Sequence, residues 1–138
     1  MAGAPQVKIP RMNPTSFLAV GLGAAFGAWL RWGLGLALNP LFQKLALGTL
    51  AANLLGAYLV GAAVAVFHIN SDVPPAVKLF IITGFLGGLT TFSTFSAEVV
   101  AQIQRAEYVG AFGTVTLNLC GSLLLTGLGI VTIQQLNK

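Results

Sequence analysis

The sequence predicts an all-α membrane protein with four transmembrane helices per subunit. The third helix is expected to break near its middle, and two copies to form an antiparallel, dual-topology dimer. Three observations point there. The 138 residues are 56% hydrophobic and only 7% charged, with a mean hydropathy of +0.86, whereas a globular domain carries about 25% charged residues. Four apolar stretches stand in the chain, each long enough for the ~20 residues that cross ~30 Å of hydrocarbon. The basic residues, finally, divide almost evenly between the two sides that such spans define.

The chain opens on MAGAPQVKIPRMNPTS, which is polar, Pro-containing and lightly basic. Residues 1–14 are expected to be a flexible tail and 15–138 the transmembrane domain. The apolar stretch that follows is too long for a signal peptide and lacks a cleavage site, so it reads as a mature span. That first span covers Phe17–Leu38, opened by Pro14-Thr15-Ser16 and closed by Asn39-Pro40. Gly23 and Gly27 within it have the GxxxG spacing that lets helix backbones approach closely. The second span runs from Leu45 to His68 and ends before the turn-like Asn70-Ser71-Asp72-Val73-Pro74-Pro75. A third runs from Ala76 to Gln104 and repeats the small-residue spacing at Gly84 and Gly88; the fourth runs from Val109 to Ile133. Loops are short, and no internal repeat is visible.

With four spans, both termini lie on one side. Lys8, Arg11, Lys78 and Lys138 go with the termini; Arg31, Lys44 and Arg105 go opposite. The positive-inside rule orients a chain by such an imbalance, and here it has little to act on. The near balance permits insertion both ways up, and hence an antiparallel pair; it is also compatible with a single orientation. The net charge of +4 contains no run of Lys or Arg, so a nucleic-acid partner is excluded and the basic excess is assigned to lipid headgroups. Cys120 is the single cysteine, in an apolar run, and reads as a small buried hydrophobe.

Polar groups inside a membrane are costly, so each needs a partner or a task. In the fourth span Thr114, Asn118, Ser122 and Thr126 recur every four residues. Each such step advances about 40° round the helix and about 6 Å along it, giving a winding stripe roughly 18 Å long. Thr49 and Asn53 make a second polar face on the second span. Single Ser, Thr or Asn residues usually bond their own carbonyls or glue helices together; a four-member stripe facing a second polar face favours a path for a polar solute. No catalytic set accompanies it. His68 lies at a span end, and Asp72, Glu98 and Glu107 are scattered with no paired acid and base. The first two spans hold no carboxylate of the kind a proton-coupled exporter would use. A donor-lined path without fixed negative charge suits an anion. Arg31, the one cation embedded in the first span, either snorkels to the interface or forms a positive vestibule, and the two are compatible.

The third span carries GFLGGLTTFSTFSAE, Gly84 to Glu98. Gly84, Gly87 and Gly88 weaken a helix by up to about 1 kcal/mol each relative to Ala, and Thr90 and Thr91 add β-branched strain. Broken there, the helix would free carbonyls that must be buried in protein or engaged with an ion. Two antiparallel copies crossing at the break would gather an oxygen-only site suited to a monovalent cation. Phe92 and Phe95, three apart, share a helix face, and the positive ring edge of an aromatic can partly replace water round an anion.

This segment resembles the signature of the Fluc (CrcB) fluoride channels. The similarity extends to GAWLRW at Gly27–Trp32, GTLAANLLGAYLVG at Gly48–Gly61 and CGSLLLTGLG at Cys120–Gly129. The resemblance implies a passive, fluoride-selective channel in the inner membrane of a bacterium, relieving cytoplasmic fluoride toxicity. It also implies an antiparallel homodimer with two pores, and a structural Na+ at its centre held by the backbone carbonyls of Gly87 and Thr90. On the same basis the pore residues are Phe92, Phe95, Asn53, Ser122, Thr126 and Thr94, and the basic vestibule residue is Arg31. Glu98 is given only a minor role near a pore end, and Asn118 stands where a smaller or hydroxyl residue is expected.

Overall fold

The computed structural model describes residues 13–42 and 44–138; residues 1–12, which carry most of the expected tail, lie outside them. The described residues are helical, with four spans: Pro14–Leu41, Leu47–Ile69, Pro75–Gln104 and Tyr108–Leu136. The four-span expectation holds. The observed spans are a little longer or shifted at their ends, where polar residues still bond helically at no cost in apolar area.

Helix α1 (Pro14–Leu38) starts on an Asn13 cap, whose side chain accepts from the Thr15 amide, and Pro14 follows where a missing N–H leaves nothing unpaired. So helix begins within the expected tail. A 3-10 turn, Asn39–Leu41, closes α1. Asn39 Oδ1 then accepts from the Gly48 amide at 2.8 Å, tying the end of α1 to the first turn of α2 (Leu47–Ile69). Helix α2 packs along α6 (Tyr108–Leu136).

The third span is composite. It comprises α3 (Pro75–Lys78), a π-helical stretch (Leu79–Leu86), α4 (Gly87–Leu89) and α5 (Phe92–Gln104). Between α4 and α5, Thr90 (φ −82°, ψ 154°) and Thr91 (φ −151°, ψ 121°) have extended backbone. Gly84, Gly87 and Gly88 stay within helical segments. Their sequence-based assignment as the weak point is therefore corrected: the helical dihedrals are lost at the two threonines. Gly84 and Gly88 instead meet α1. A Cβ on Gly84 would lie 2.7 Å from the Val20 carbonyl oxygen, and one on Gly88 3.0 Å from Ala24 Cα. Reciprocally, a Cβ on Gly23 would lie 2.8 Å from the Phe85 nitrogen and one on Gly27 2.7 Å from the Leu89 nitrogen. The two GxxxG pairs thus face each other and bring two backbones together, as small residues do where hydrophobicity cannot drive helix association.

Ala52, Leu86 and Leu89 form the buried centre where α2 meets the third span. Most large apolar residues point outward: Phe17, Trp29, Trp32, Val109 and Leu124 are exposed, as suits a surface solvated by lipid. Cys120 is exposed too. Its expected burial is corrected, because it falls on the outer face of α6, opposite the helix neighbours that bury Asn118. Ala106, in the short link between α5 and α6, has φ 58°, a left-handed conformation that L-residues other than Asn and Asp rarely adopt.

Candidate functional site

The interruption at Thr90–Thr91 organises the interior. A continuous helix would have the Thr91 amide donate to the Gly87 carbonyl; here it donates to Asn53 Oδ1 at 2.8 Å. Asn53 Nδ2 returns a bond to the Thr91 carbonyl at 3.1 Å. One side-chain amide on α2 thus pairs both backbone groups of Thr91, as a neighbouring strand would. The Thr91 hydroxyl accepts from the Thr94 amide at 3.2 Å and starts α5, and it donates to Thr94 Oγ1 at 3.1 Å. Upstream, the Thr90 hydroxyl and amide both donate to the Leu86 carbonyl, at 2.9 and 3.0 Å. Among the described residues no backbone amide outside the regular helical bonds donates to the Gly87 or Thr90 carbonyl. The Gly88 carbonyl accepts from Arg31 Nε at 3.1 Å. Arg31, expected at an interface or vestibule, therefore also reaches back to the interruption.

Beside the interruption lies an open groove of about 440 Å³. Asn53, Gly87, Thr90, Phe92, Phe95, Asn118, Ser122 and Thr126 are among its lining residues, and none of the lining residues is charged. The two phenyl rings meet edge to face, with centroids 5.5 Å apart and an interplanar angle of 65°. Phe92 is 80% exposed and projects from the chain. Of the site residues expected from the sequence, the groove gathers Asn53, Phe92, Phe95, Ser122, Thr126, Gly87 and Thr90. It does not include Arg31 or Thr94. Those two line a second cavity of about 550 Å³ with Trp32, Asn39, Thr49 and Glu98. In it the Thr49 hydroxyl donates to Glu98 Oε1 at 2.5 Å, which gives Glu98 a more definite place than its expected minor role.

The stripe on α6 divides. Ser122 and Thr126 face the groove, although the Thr126 hydroxyl donates to the Ala57 carbonyl at 3.1 Å. Thr114 and Asn118 are buried, Thr114 away from the groove and Asn118 at its inner edge. Asn118 Oδ1 accepts the remaining Asn53 N–H at 2.9 Å, and Asn118 Nδ2 donates to the Thr114 carbonyl at 3.0 Å. Asn53, expected to offer an amide N–H to the pore, has both N–H groups engaged, one by the Thr91 carbonyl and one by Asn118 Oδ1.

Two residues were undervalued by sequence reasoning. Asn118 stands at the centre of this network, and its four-residue spacing from Ser122 was the available signal. Gln102 drew no assignment from the sequence, where Gln104 and Arg105 follow it. It is 4% exposed, wedged between α5, α6 and the α1–α2 connection. Among the described residues no three His, Cys, Asp or Glu side chains cluster as metal ligands.

Comparison with known proteins places these features. Residues 18–130 match the family model described as "CrcB-like protein, Camphor Resistance (CrcB)". The chain is 59% identical over 123 residues to a protein of Dechloromonas aromatica named "Fluoride-specific ion channel FluC", covering 89% of this chain and 91% of that one. It is 60% identical over 125 residues to a protein of the same name from Nitrosospira multiformis, covering 91% and 98%. A third, from Pseudomonas putida and again so named, is 55% identical over 117 residues, covering 85% and 92%.

Proposed function

The chain belongs to the CrcB-like family, and on that premise we propose that it is a fluoride-selective channel through which the ion leaves a bacterial cell passively. The observation that carries the proposal is the groove, where phenyl edges and hydroxyls converge with no charged lining residue. Fluoride is small and strongly hydrated, so a pore must replace its water at close range. In the groove the Ser122 hydroxyl and the ring edges of Phe92 and Phe95 can do so without the grip of a full charge, and the Thr94 hydroxyl, on the second cavity, would extend the path. Weak, multiple sites of that kind allow an ion to enter and also to leave. An N–H of Asn53 would join them where the anion displaces the Asn118 oxygen. Arg31, on the second cavity, supplies a positive vestibule that raises the local anion concentration.

The functional unit in this proposal is an antiparallel homodimer, its two copies crossing at Thr90–Thr91 and enclosing two pores. Its support is the exposed Phe92, the groove left open beside it, and the four-to-three division of basic residues. At the crossing, Na+ is the proposed structural ion. The fit is chemical: Gly87 and Thr90 both border the groove, and the Thr91 amide that a continuous helix would give to the Gly87 carbonyl is committed to Asn53. Two copies would offer four neutral oxygens and no carboxylate, a set better matched to a monovalent cation than to calcium or magnesium. Bound there, the ion would neutralise the converging carbonyl dipoles.

The deciding experiment is fluoride efflux from liposomes containing the purified protein, read with a fluoride electrode and controlled with chloride. The expected result is fluoride release that persists when the proton gradient is collapsed, with no chloride release. Strict dependence on a proton gradient would make the protein a coupled exporter. A protein that folds and inserts but moves no fluoride would serve assembly alone.

A further inference from the structure

Asn53 is the only side chain that bonds both backbone groups of Thr91 among the described residues, and its own orientation is set from a distance. Its Oδ1 must face the Thr91 amide, so its Nδ2 faces the Thr91 carbonyl and Asn118. Asn118 must then present Oδ1 to Asn53, which sends its Nδ2 to the Thr114 carbonyl one turn back on α6. The Thr114 hydroxyl in turn donates to Gln102 Oε1 at 3.0 Å. Gln102 Nε2 donates to the Lys44 carbonyl at 3.1 Å, in the connection between α1 and α2. Every amide along this line has one orientation that satisfies it, because each donor finds an acceptor and a flip would set like against like. Gln102, Thr114 and Asn118 are 4%, 2% and 5% exposed, so water cannot take the place of a missing partner.

From this chain of contacts we infer that Gln102 and Thr114 are positioning residues for the Asn53 amide. They clamp α6 to α5 and to the α1–α2 connection, fixing the height and rotation at which Asn118 meets Asn53. The consequence for conduction is specific. An anion in the groove takes an Asn53 N–H only by displacing Asn118 Oδ1, so the ease of that exchange depends on how firmly α6 holds Asn118. The clamp lies outside the groove, since neither Gln102 nor Thr114 lines it. The inference rests on the fluoride-channel proposal for its functional readout.

The test uses the full-length protein in liposomes and, separately, in detergent with ¹⁵N-labelled asparagine. Thr114→Val removes the hydroxyl at nearly constant shape, Gln102→Met removes the amide, and Thr114→Ser keeps the hydroxyl. Thr114→Val and Gln102→Met are expected to change fluoride efflux about fivefold to tenfold, the weight of one buried hydrogen bond. Both should shift the Asn53 side-chain amide resonances, and Thr114→Ser should restore flux and resonances to those of the parent. Three outcomes overturn the inference: parental flux in both variants; altered flux with the Asn53 resonances unmoved; or aggregation of both variants beside a normal Thr114→Ser, which would make the clamp a requirement of folding only. Wild-type liposomes that release no fluoride would defeat the channel proposal instead, while the resonances would still report on the clamp.

Discussion

Asn53→Ala is the sharpest probe of how the third span is held open. The substitution deletes three hydrogen bonds, two to the Thr91 backbone at 2.8 and 3.1 Å and one to Asn118 at 2.9 Å. A buried polar group left unpaired costs about 1–3 kcal/mol. Thr91 is half-buried, so its groups fall toward the lower end, while the buried Asn118 oxygen falls higher. The expected loss is about 3 kcal/mol of stability, with the half-helices shifting to re-pair the Thr91 amide with Gly87. For a chain of this size that corresponds to a fall of roughly 10 °C in the unfolding midpoint. Thermal unfolding in detergent measures the first effect, and fluoride efflux measures the second, expected to fall by more than about tenfold as the arrangement at Thr91 is depopulated. Lost flux with an unchanged midpoint would refute the reasoning, because Asn53 would then touch the ion without supporting the backbone.

Close packing of the two GxxxG pairs predicts that Gly27→Ala destabilises by about 1–3 kcal/mol, since its Cβ would lie 2.7 Å from the Leu89 nitrogen. Gly21→Ala meets nothing within 4 Å and should not lower the unfolding midpoint, raising it by the equivalent of up to about 1 kcal/mol through the better helix propensity of Ala. Ala106→Gly should raise it by the equivalent of about 1 kcal/mol, because the left-handed φ of 58° penalises a Cβ and not glycine. Exchange of sodium for N-methylglucamine during purification should shift the protein from dimer to monomer on size exclusion and abolish flux; a dimer that conducts normally without sodium would end the proposal that the Gly87 and Thr90 carbonyls hold it.

How much of this was legible follows from which forces act within one segment. Span lengths were readable because apolar length against bilayer thickness is a local constraint, and Asn39-Pro40 and Asn70–Pro75 ended helices by their own backbone chemistry. The glycines were legible as special but were assigned the wrong task. Propensity makes Gly a weak point in water, yet a helix in lipid keeps its bonds wherever it can, and Gly84 and Gly88 are paid attention by α1 instead. What loosens the helix is a competitor offering equivalent bonds, and that competitor, Asn53, lies 38 positions from Thr91. Gln102 was illegible for the same reason. Its neighbours Gln104 and Arg105 suggest water, whereas its partners Lys44 and Thr114 come from elsewhere in the chain.

The accounting of backbone groups at the interruption ties these features together. Within hydrocarbon every group released from a helix must find another partner. The Thr91 amide and carbonyl find Asn53, the Thr94 amide finds the Thr91 hydroxyl, and the Gly88 carbonyl finds Arg31. These partners all lie on the chain's own interior side and need no second molecule. The Gly87 and Thr90 carbonyls differ: no backbone amide outside the regular helical bonds donates to them among the described residues, and both residues border the uncharged groove beside the exposed Phe92. Carbonyl oxygens gathered at one point would repel each other and attract a cation, and a two-fold crossing would double their number there. The proposed dimer and the proposed sodium ion are therefore one physical proposal: the second copy would cover the groove, and the cation would answer the carbonyls that this covering brings together.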